Sequence, residues 1–584
     1  MVTSTEKIFS EFKEHSVAEF FKKNQQMLGF SGKTRSLTTI IHEYVTNSLD
    51  ACEEASLLPE ITVTITELDK ERYRIVAEDN GPGIPEKHLG KALGQMLAGT
   101  KFHRYAQQRG QQGIGASGCT MYAQITTGKA VKVVSRYDTK KISCEITIDL
   151  KSNSPRITNL LKEDGDFGHG LRVESEVAEV KYDLSSFGVY EYVRRTALAN
   201  PHLQITLIDP AGQKYSFPRS SDVVPGKPIM VQPHPLGIST NDLIDFAHRE
   251  KECRRVSSFL QERFTRVSAG KVDELKQLVP DVDFNKSPQE LQWVEAEKII
   301  KAIQNPAMKW IAPATDSLRP IGKDQIEKSL KNILAPQYTI VTERSPKIYK
   351  GGIPFMVEAA IAYGGGAGKK AAGATGEQTQ SEIIRYANRA PLLFDNSGCA
   401  ITEAVKEIDW KRYKLKNFEE EPISVFVNIS SVYVPYTSAG KQAISNEDEI
   451  LQEIKNAIME AARDLQRYLS GIHREKERGE RKKAILRYVI QLSKDLTELA
   501  GKGDSKKLEK ELINLIETKY SGIIENGEDE EETGSGNGAD ESDDEEGEEE
   551  TEKKPSKKPS SAKQMGGQEA KPPGKKSKED EGEE

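Results

Sequence analysis

The stretch LTTIIHEYVTNSLDA, residues 37–51, decides the fold of this chain, and it has the pattern of a two-faced helix. Its apolar side chains recur at helical spacing, at Leu37, Ile40, Ile41 and Tyr44. Its polar side chains fall on a separate stripe, at Glu43, Asn47 and Asp50. A carboxylate one turn from an amide can orient a water and hold Mg²⁺, which prefers oxygen ligands and takes few from protein when phosphates supply the rest. The stretch therefore predicts nucleotide hydrolysis, with an ordinary solvated amphipathic helix as the alternative.

A glycine-rich turn follows a predicted β-hairpin. The hairpin strands span residues 61–65 and 73–77, and the second strand brings Asp79 to its end. In the NGPGIP sequence that follows, Gly81 and Gly83 permit positive φ and leave room for a flat ring. The Asp79 carboxylate can accept a hydrogen bond from an exocyclic amine such as that of adenine. A plain tight turn is the alternative for this motif in isolation.

A second glycine-rich segment suits a chain of phosphates. It precedes a predicted helix and consists of Gly110, Gln111, Gln112, Gly113, Ile114, Gly115, Ala116 and Ser117. Backbone N–H groups at a helix start, together with the helix dipole, attract anions. Thr100 and Lys101, just upstream, can add a hydroxyl and an ammonium to the same phosphates. A flexible surface loop is the alternative.

Composition narrows the class of protein. Residues 525–584 hold 22 Asp and Glu against 9 Lys, so residues 1–524 carry 69 acidic and 74 basic side chains, a slightly basic body that permits a polyanionic partner. The 5 cysteines are scattered without a CxxC pair, which indicates neither a zinc site nor a disulfide framework. No signal peptide and no membrane-spanning run is evident. We expect a soluble, cytoplasmic protein, or a nuclear one if the source is eukaryotic.

The order and spacing of these motifs carry a family resemblance. The Glu43 helix, DNGPGIP and GQQGIGASG resemble the Bergerat (GHKL) ATP-binding fold shared by gyrase, Hsp90, MutL proteins and histidine kinases. The finer matches FFKKNQQMLGF, HEYVTNSLDA, RYANRAPLLF and SAGKQAI are similar to the B subunits of type IIB DNA topoisomerases, over approximately residues 15 to 475. The resemblance therefore extends well beyond the nucleotide motifs.

The resemblance implies a role for each motif. Glu43 polarises the attacking water, Asn47 ligates Mg²⁺ and Asp79 reads adenine. Thr100, Lys101 and residues 110–117 hold the phosphates of ATP. Lys441, in the TSAGKQAI segment, reaches across from a second domain to the γ-phosphate. One position departs from the family, because HGL with Leu171 replaces the usual HGT before a predicted strand, so a threonine hydroxyl near the base is not expected.

The resemblance also implies an α+β multidomain architecture. Residues 1–229 form an N-terminal arm and a Bergerat (GHKL) α/β sandwich ATPase domain. Residues 230–315 form a helix-two-turns-helix insert. Residues 316–524 form a ribosomal S5 domain 2-like transducer domain with long C-terminal helices, and residues 525–584 form a disordered acidic tail, whose composition cannot bury enough apolar surface to fold.

Partners follow from the same resemblance. Family members dimerise with ATP, close around double-stranded DNA and work with a DNA-cleaving A subunit in an A2B2 heterotetramer, without a membrane. Relaxation of supercoils and decatenation are the implied activities. A clamp of the MutL or Hsp90 type, acting on repair or client proteins, is the alternative. A histidine kinase is a third possibility, but no separate phosphoacceptor helix is apparent.

Two segments leave alternatives open. The run Trp410-Lys411-Arg412-Tyr413-Lys414 could grip a duplex by charge and ring stacking, or its rings could anchor a basic rim to the core. The aromatic stripe before residue 22 either packs on its own domain or forms an arm that docks on a second copy.

Overall fold

The computed structural model describes residues 16–99, 105–110, 113–370, 379–438 and 440–525. These described residues fall into two compact units, divided between residues 481 and 482. Within the described ranges, no helix is long and apolar enough to cross a membrane. The predicted phosphate ligands Thr100, Lys101, Gln111 and Gln112, like residues 1–15 and 526–584, lie outside them.

An eight-stranded sheet, here called the N-terminal sheet, organises the first part of the first unit. Its strands are β1 (Glu60–Asp69), β2 (Arg72–Asp79), β3 (Val131–Tyr137), β4 (Lys140–Asp149), β5 (Ser154–Asp164), β6 (Gly170–Ala178), β7 (Gln204–Ile208) and β8 (Lys214–Phe217). The order across the sheet is β5-β4-β3-β6-β2-β1-β7-β8, with β1 and β7 parallel and the other neighbours antiparallel. The accompanying helices are α1 (Val17–Lys23), α2 (Lys33–Glu54), α3 (Glu86–Gly94), α4 (Gly115–Thr127) and α5 (Val189–Ala199).

Helix α2 confirms the predicted two-faced helix and extends it in both directions. Its apolar face is buried in one cluster with the inward side chains of β1 and β2. The members from α2 are Leu37, Ile40, Ile41, Tyr44, Val45 and Leu49. Each such aliphatic side chain stabilises the fold by about 1.5–3 kcal/mol when fully buried. This packing fixes the rotation of α2 and so decides where its polar stripe points.

The predicted hairpin and the strand after HGL are also confirmed. Strands β1 and β2 are antiparallel, with Ile61 opposite Asp79. Alternate residues of β2 are buried, and Asp79 is its last residue. Strand β6 begins at Gly170 and carries Leu171 next to the end of β2. The register therefore brings the DNGPGIP and HGL motifs side by side.

A helical segment with its own core follows the N-terminal sheet. Its helices are α6 (Thr240–Arg249), α7 (Val256–Arg263), α8 (Ala269–Leu278) and α9 (Trp293–Ile303). Ser239 begins α6 with a capping box, in which its hydroxyl accepts from the Asp242 N–H and the Asp242 carboxylate accepts from the Ser239 N–H. Phe259, Leu275 and Ile299 are members of the core. The stretches SSFLQERF (257–264) and VDELKQLV (272–279) have the pattern of polar helices, and α7 and α8 confirm them.

A second mixed sheet, the C-terminal sheet, dominates the following part of the first unit. Its strands are β9 (Tyr338–Glu343), β10 (Lys347–Tyr349), β11 (Ile353–Tyr363), β14 (Glu382–Ala387), β15 (Ala390–Pro391) and β16 (Ile423–Ser431). The order is β10-β11-β16-β14-β15, with β9 also paired to β11. A separate two-stranded ribbon joins β12 (Lys369–Lys370) and β13 (Thr379–Gln380). The helices are α10 (Lys323–Leu334), α11 (Ala400–Lys406) and α12 (Asp448–Ala500).

The apolar run ISVFVNISSVYVPY, residues 423–436, predicts a buried pair of strands. That prediction is wrong, because the structure has one strand there. All nine residues of β16 are buried. The chain then turns out of the sheet, and the Ser431 hydroxyl accepts from the Tyr433 N–H at 3.2 Å. Pro435 has no N–H to continue a ladder. The Tyr436 backbone instead makes an isolated bridge to Ile444, which closes the TSAGKQAI tip.

The sequence predicts a helix that begins near Glu447 and continues beyond His473, and α12 confirms it. In the second unit, the described residues 482–525 comprise the end of α12 and helix α13 (Ser505–Glu525). Within that unit, Lys482 and Glu517 lie 3.8 Å apart.

The structure favours one interpretation of each open segment. The rings of Trp410 and Tyr413 are buried in the core of the C-terminal sheet, and Trp410 stacks on Phe418 with centroids 4.4 Å apart. These rings therefore anchor the segment, while Lys411 and Arg412 are exposed. In α1, Ala18 is fully buried against Met121 and its neighbours, so this part of the arm packs on its own domain.

Candidate functional site

One cavity of about 570 Å³ gathers the three predicted nucleotide motifs and the TSAGKQAI tip. The predicted site residues that line it are Glu43, Asn47, Asp79, Gly83, Gly110, Gly113, Ile114, Gly115, Ala116, Ser117 and Lys441. Gly81 is not among the lining residues. A cavity of this volume is within the usual range for small-molecule sites.

Asp79 closes one end of the cavity with both carboxylate oxygens held. The Ser48 hydroxyl donates to Oδ2 at 2.5 Å. The backbone N–H groups of Gly81 and Leu171 donate to Oδ1 at 2.9 and 3.1 Å. Burial raises the pKa of Asp79 above its ordinary range, although these three donors oppose the shift. The departure at Leu171 therefore leaves a backbone donor to Asp79 in place and puts an apolar side chain at the cavity wall.

The two glycines beside Asp79 let the turn pack closely on its neighbours, and the predicted positive φ is confirmed at Gly83. A Cβ on Gly81 would lie 2.9 Å from the Asp79 carboxylate oxygen. Gly83 has φ +71°, and a Cβ there would lie 2.2 Å from the Arg136 carbonyl oxygen. The space at these glycines is thus occupied by the protein itself, and their absent side chains let the turn close on Asp79 and β3.

Glu43 faces the first turn of α4. A Cβ on Gly115 would lie 1.7 Å from Glu43 Oε2, so only glycine admits this carboxylate. Residue Ile114 at the N-cap offers no side-chain hydrogen bond to the helix start. The first N–H groups of a helix have no intrahelical partner and attract anions. The Glu43 carboxylate therefore lies where anionic groups are stabilised.

The polar stripe of α2 divides between two environments. Asn47 is exposed to the cavity. Asp50, which we expected on the same working face, is buried instead, and its carboxylate accepts from Arg109 at 2.8 Å. The three residues still lie on one stripe, since seven positions along a helix are almost two full turns, and a Cβ on Gly110 would lie 3.8 Å from Asp50 Oδ2 and 4.0 Å from Asn47 Oδ1. Arg109 covers the Asp50 end of that stripe.

Lys441 brings the C-terminal part of the first unit to the cavity. Its ammonium donates to the backbone carbonyl of Arg109 at 3.1 Å and lies 6.0 Å from the Tyr436 ring centroid. Gly440 and Gln442 line the cavity beside it. The Phe394 N–H donates to Gln442 Oε1 at 3.3 Å, which ties the tip to the RYANRAPLLF segment.

Arg109 is a site residue that the sequence analysis did not single out. It lines the cavity, and its guanidinium donates hydrogen bonds to three side chains. It donates to Glu53 at 2.7 and 2.8 Å, to Asp50 at 2.8 Å and to Asn200 at 2.6 Å. Burial by itself raises the pKa of Glu53. The Arg109 guanidinium and a hydrogen bond from His202 outweigh burial and hold that pKa well below its usual range. An arginine directly before a glycine-rich loop was the available signal, although its partners could not be inferred.

Ser48 was also missed. It follows Asn47 directly, on the side of α2 that faces the end of β2. A serine next to a predicted amide ligand gives no distinctive signal by itself, because small hydroxyl residues also occur in helix interiors. Only the packing of α2 on β2 shows that its hydroxyl binds Asp79.

Family models match two separate parts of the chain. Residues 313–482 match the topoisomerase VI B subunit transducer model. Residues 32–153 match the model of histidine kinase-, DNA gyrase B- and HSP90-like ATPases.

Named relatives align along most of the chain. The B subunit of type 2 DNA topoisomerase 6 from Pyrococcus abyssi is 45% identical over 558 residues, which cover 88% of this chain and 96% of the relative. The protein of the same name from Methanothermobacter thermautotrophicus is 46% identical over 498 residues, covering 84% and 93%. A solved ATPase region of Saccharomyces cerevisiae topoisomerase II matches at 11% identity with a TM-score of 0.38, covering 79% of this chain and 99% of that one.

Proposed function

We propose a function from the family to which the chain belongs, the B subunits of type 2 DNA topoisomerase 6. The chain is the ATP-hydrolysing subunit of a type IIB DNA topoisomerase, and it works as a clamp that closes when ATP binds. One observation supports this most strongly. Glu43, Asn47 and Asp79 of the N-terminal part and Lys441 of the C-terminal part line the same cavity. A ligand that touches all four residues stabilises one arrangement of the two parts over others.

The cavity residues fit the parts of ATP. Asp79, held by Ser48 and two backbone donors, presents an oriented acceptor to the adenine amine. The uncapped start of α4 offers N–H groups to the phosphates. Thr100, Lys101, Gln111 and Gln112 complete the phosphate site in this proposal.

Glu43 acts as the general base. Its carboxylate lies at the start of α4 and can accept the proton of a water that attacks the γ-phosphate. The side-chain oxygen of Asn47, exposed to the cavity, suits Mg²⁺, which when bound neutralises charge on the phosphates. Lys441 senses the γ-phosphate, because the charge that it pairs with disappears after hydrolysis and release.

Closure of the clamp is the mechanical consequence. With ATP bound, Lys441 and the lid, residues 110–117, hold the two parts of each copy together, and two copies dimerise around double-stranded DNA. An A subunit supplies the cleaving nucleophile in an A2B2 assembly, and a second duplex passes through the break. Hydrolysis then releases Lys441 and reopens the clamp.

The domain boundaries belong to the same proposal. We assign the arm and ATPase domain to residues 1–229 and the helix-two-turns-helix domain to residues 230–315. The transducer with its long helices takes residues 316–524, and the acidic tail takes residues 525–584. The separate helical core of the second segment and the separate sheet of the third support these divisions.

The decisive experiment is a DNA topology assay. The chain is mixed with a purified A subunit, and supercoiled and catenated plasmids are added with and without ATP. We expect relaxation and decatenation only with ATP, and neither with the Glu43→Ala variant. ATP consumption with unchanged plasmid topology would overturn the topoisomerase proposal and favour a clamp of the MutL or Hsp90 type.

A further inference from the structure

Three consecutive polar residues join the lid to both parts of the first unit. Gln107, Gln108 and Arg109, here called the link segment, are each only 7% exposed. Long polar side chains are rarely buried in succession unless each has partners. The next residue, Gly110, lines the nucleotide cavity.

The first residue of the link segment binds the C-terminal part. Gln107 Nε2 donates to the Arg319 carbonyl at 2.8 Å, and the Arg319 N–H donates back to Gln107 Oε1 at 2.7 Å. Gln107 Nε2 also lies 3.2 Å from the Ser430 hydroxyl near the end of β16. The Asn388 side chain donates to the Gln108 carbonyl at 3.2 Å.

The last residue of the link segment binds the N-terminal part. The Arg109 guanidinium is held by Asp50 and Glu53 of α2, and by Asn200 after α5. Its backbone carbonyl accepts from Lys441. One short segment thus contacts the C-terminal sheet, helix α2 and the sensor lysine.

The contacts to the two parts lie only two residues apart in the chain. Consecutive Cα atoms are about 3.8 Å apart, so the whole segment spans less than about 8 Å. Hydrogen bonds weaken steeply when donor and acceptor separate beyond about 3.5 Å. A shift of the C-terminal sheet therefore strains the Gln107 pair or moves the adjoining Gly110.

We propose that the link segment positions Gly110 at the cavity wall according to the placement of the C-terminal sheet, with Gln107 as the positioning residue that responds to this placement. This inference rests on the proposed function, since it concerns how closure on ATP is communicated. It adds a second connection between the two parts beside Lys441. Because coupling is reciprocal, the same contacts transmit closure of the lid to the sheet.

The test compares two variants of the full chain. Gln107→Ala removes the paired hydrogen bonds to Arg319. Glu382→Gln is the matched control. Glu382 also bridges the two parts, because its carboxylate accepts from Arg194 at 2.8 Å and from Arg195 at 3.0 Å. Its hydrogen bonds to these arginines do not involve the link segment. ADP affinity is measured by calorimetry, and dimerisation with a non-hydrolysable ATP analogue is measured by sedimentation.

We expect Gln107→Ala to bind ADP within twofold of the wild type but to need about tenfold more analogue for half-maximal dimerisation. Its kcat for ATP should fall more than its KM rises. Glu382→Gln should lower Tm while leaving ADP affinity and dimerisation within twofold. If Gln107→Ala fails to fold, Gln107→Glu, which keeps the acceptor for Arg319, replaces it with the same expectations.

Wild-type dimerisation by Gln107→Ala, or equal defects in both variants, would overturn the positioning role. A wild-type chain that neither binds ADP nor dimerises with the analogue would instead refute the proposed function, and this inference with it. The two failures are therefore distinguishable from the wild-type measurements.

Discussion

The ammonium of Lys441 donates to the backbone carbonyl of Arg109 at 3.1 Å, although 332 positions separate them in the chain. This contact lies at the wall of the nucleotide cavity and joins the TSAGKQAI tip to the base of the lid. In the proposed function, the lysine exchanges this carbonyl for a phosphate oxygen of ATP.

Lys441→Ala should weaken closure without weakening nucleoside recognition. ADP has no γ-phosphate, so its affinity should stay within about threefold. Dimerisation by a non-hydrolysable ATP analogue should need about tenfold more analogue, because a charge-assisted hydrogen bond contributes roughly 1.5–3 kcal/mol. Sedimentation measures dimerisation, and Lys350→Ala, which removes an exposed lysine paired with Glu447, is the control. Wild-type dimerisation by Lys441→Ala would refute the sensor role.

Glu43→Ala and Glu43→Gln should bind ATP and still dimerise, but they should lose turnover. Removal of a general base typically costs about 10²–10⁴ in rate. Phosphate release at saturating ATP measures the loss, and equilibrium binding of a fluorescent ATP analogue verifies the site. Equal hydrolysis rates in the wild type and both variants would show that another group activates the water.

Gly115→Ala should reproduce much of the Glu43 defect. The new methyl group would lie 1.7 Å from Glu43 Oε2 and must displace the carboxylate. Gly118→Ala, in the same helix, is the matched control, since its nearest neighbour would be Leu28 Cδ1 at an ordinary 3.6 Å.

The two alanine variants should therefore differ in activity but not in helix stability. Alanine is preferred to glycine in a helix interior by about 1 kcal/mol. Thermal unfolding and phosphate release are measured on both. Full activity in Gly115→Ala would mean that the Glu43 position in the structure is not the catalytic one.

Asn47→Ala should remove most of the Mg²⁺ dependence of ATP binding. In the wild type, we expect Mg²⁺ to tighten ATP binding, because Asn47 supplies an oxygen ligand beside the phosphates. In the variant, affinities with Mg²⁺ and with EDTA should converge to within about threefold. A Mg²⁺ effect of wild-type size in Asn47→Ala would assign the metal to other residues.

ADP affinity should fall in acid as Asp79 gains a proton. Burial places the pKa of Asp79 above its ordinary range, so the loss begins at a higher pH than for an exposed aspartate. The anion accepts from the adenine amine, whereas a protonated carboxyl presents an O–H in its place. Affinity is therefore complete above the folded pKa and falls about tenfold per pH unit below it.

Ser48→Ala should move this acidic loss to higher pH. The Ser48 hydroxyl stabilises the Asp79 anion, and a hydrogen bond to a charged group is worth about 1.5–3 kcal/mol, or roughly 1–2 pH units. Calorimetric ADP binding from pH 8 downward measures the shift. Ser175→Ala is the control, because Ser175 is buried in β6 opposite Ile75, away from Asp79. Superimposable pH profiles for Ser48→Ala and the wild type would contradict the assigned contact.

The local elements around the site were predictable because their signals are short in range. Periodicity identified α2, alternation identified β1 and β2, and the glycine-rich loop located the start of α4. Residues 423–436 show the limit of such signals. A continuous apolar run does not reveal where a buried strand leaves its sheet, since that depends on the Ser431 turn.

The sequence alone determined the helix that carries Glu43 and Asn47, the strand that carries Asp79 and the tip that carries Lys441, because hydrophobic period and turn chemistry act over a few residues. Only the tertiary structure decided which polar residues share the cavity. The Asp50 carboxylate accepts from Arg109, while the Ser48 hydroxyl donates to Asp79. These choices depend on how α2 is rotated against β2 and on a partner 59 positions away, and no local pattern contains either. Hydrogen bonds and ion pairs form between whatever groups packing brings within about 3 Å, so their partners are a property of the folded chain.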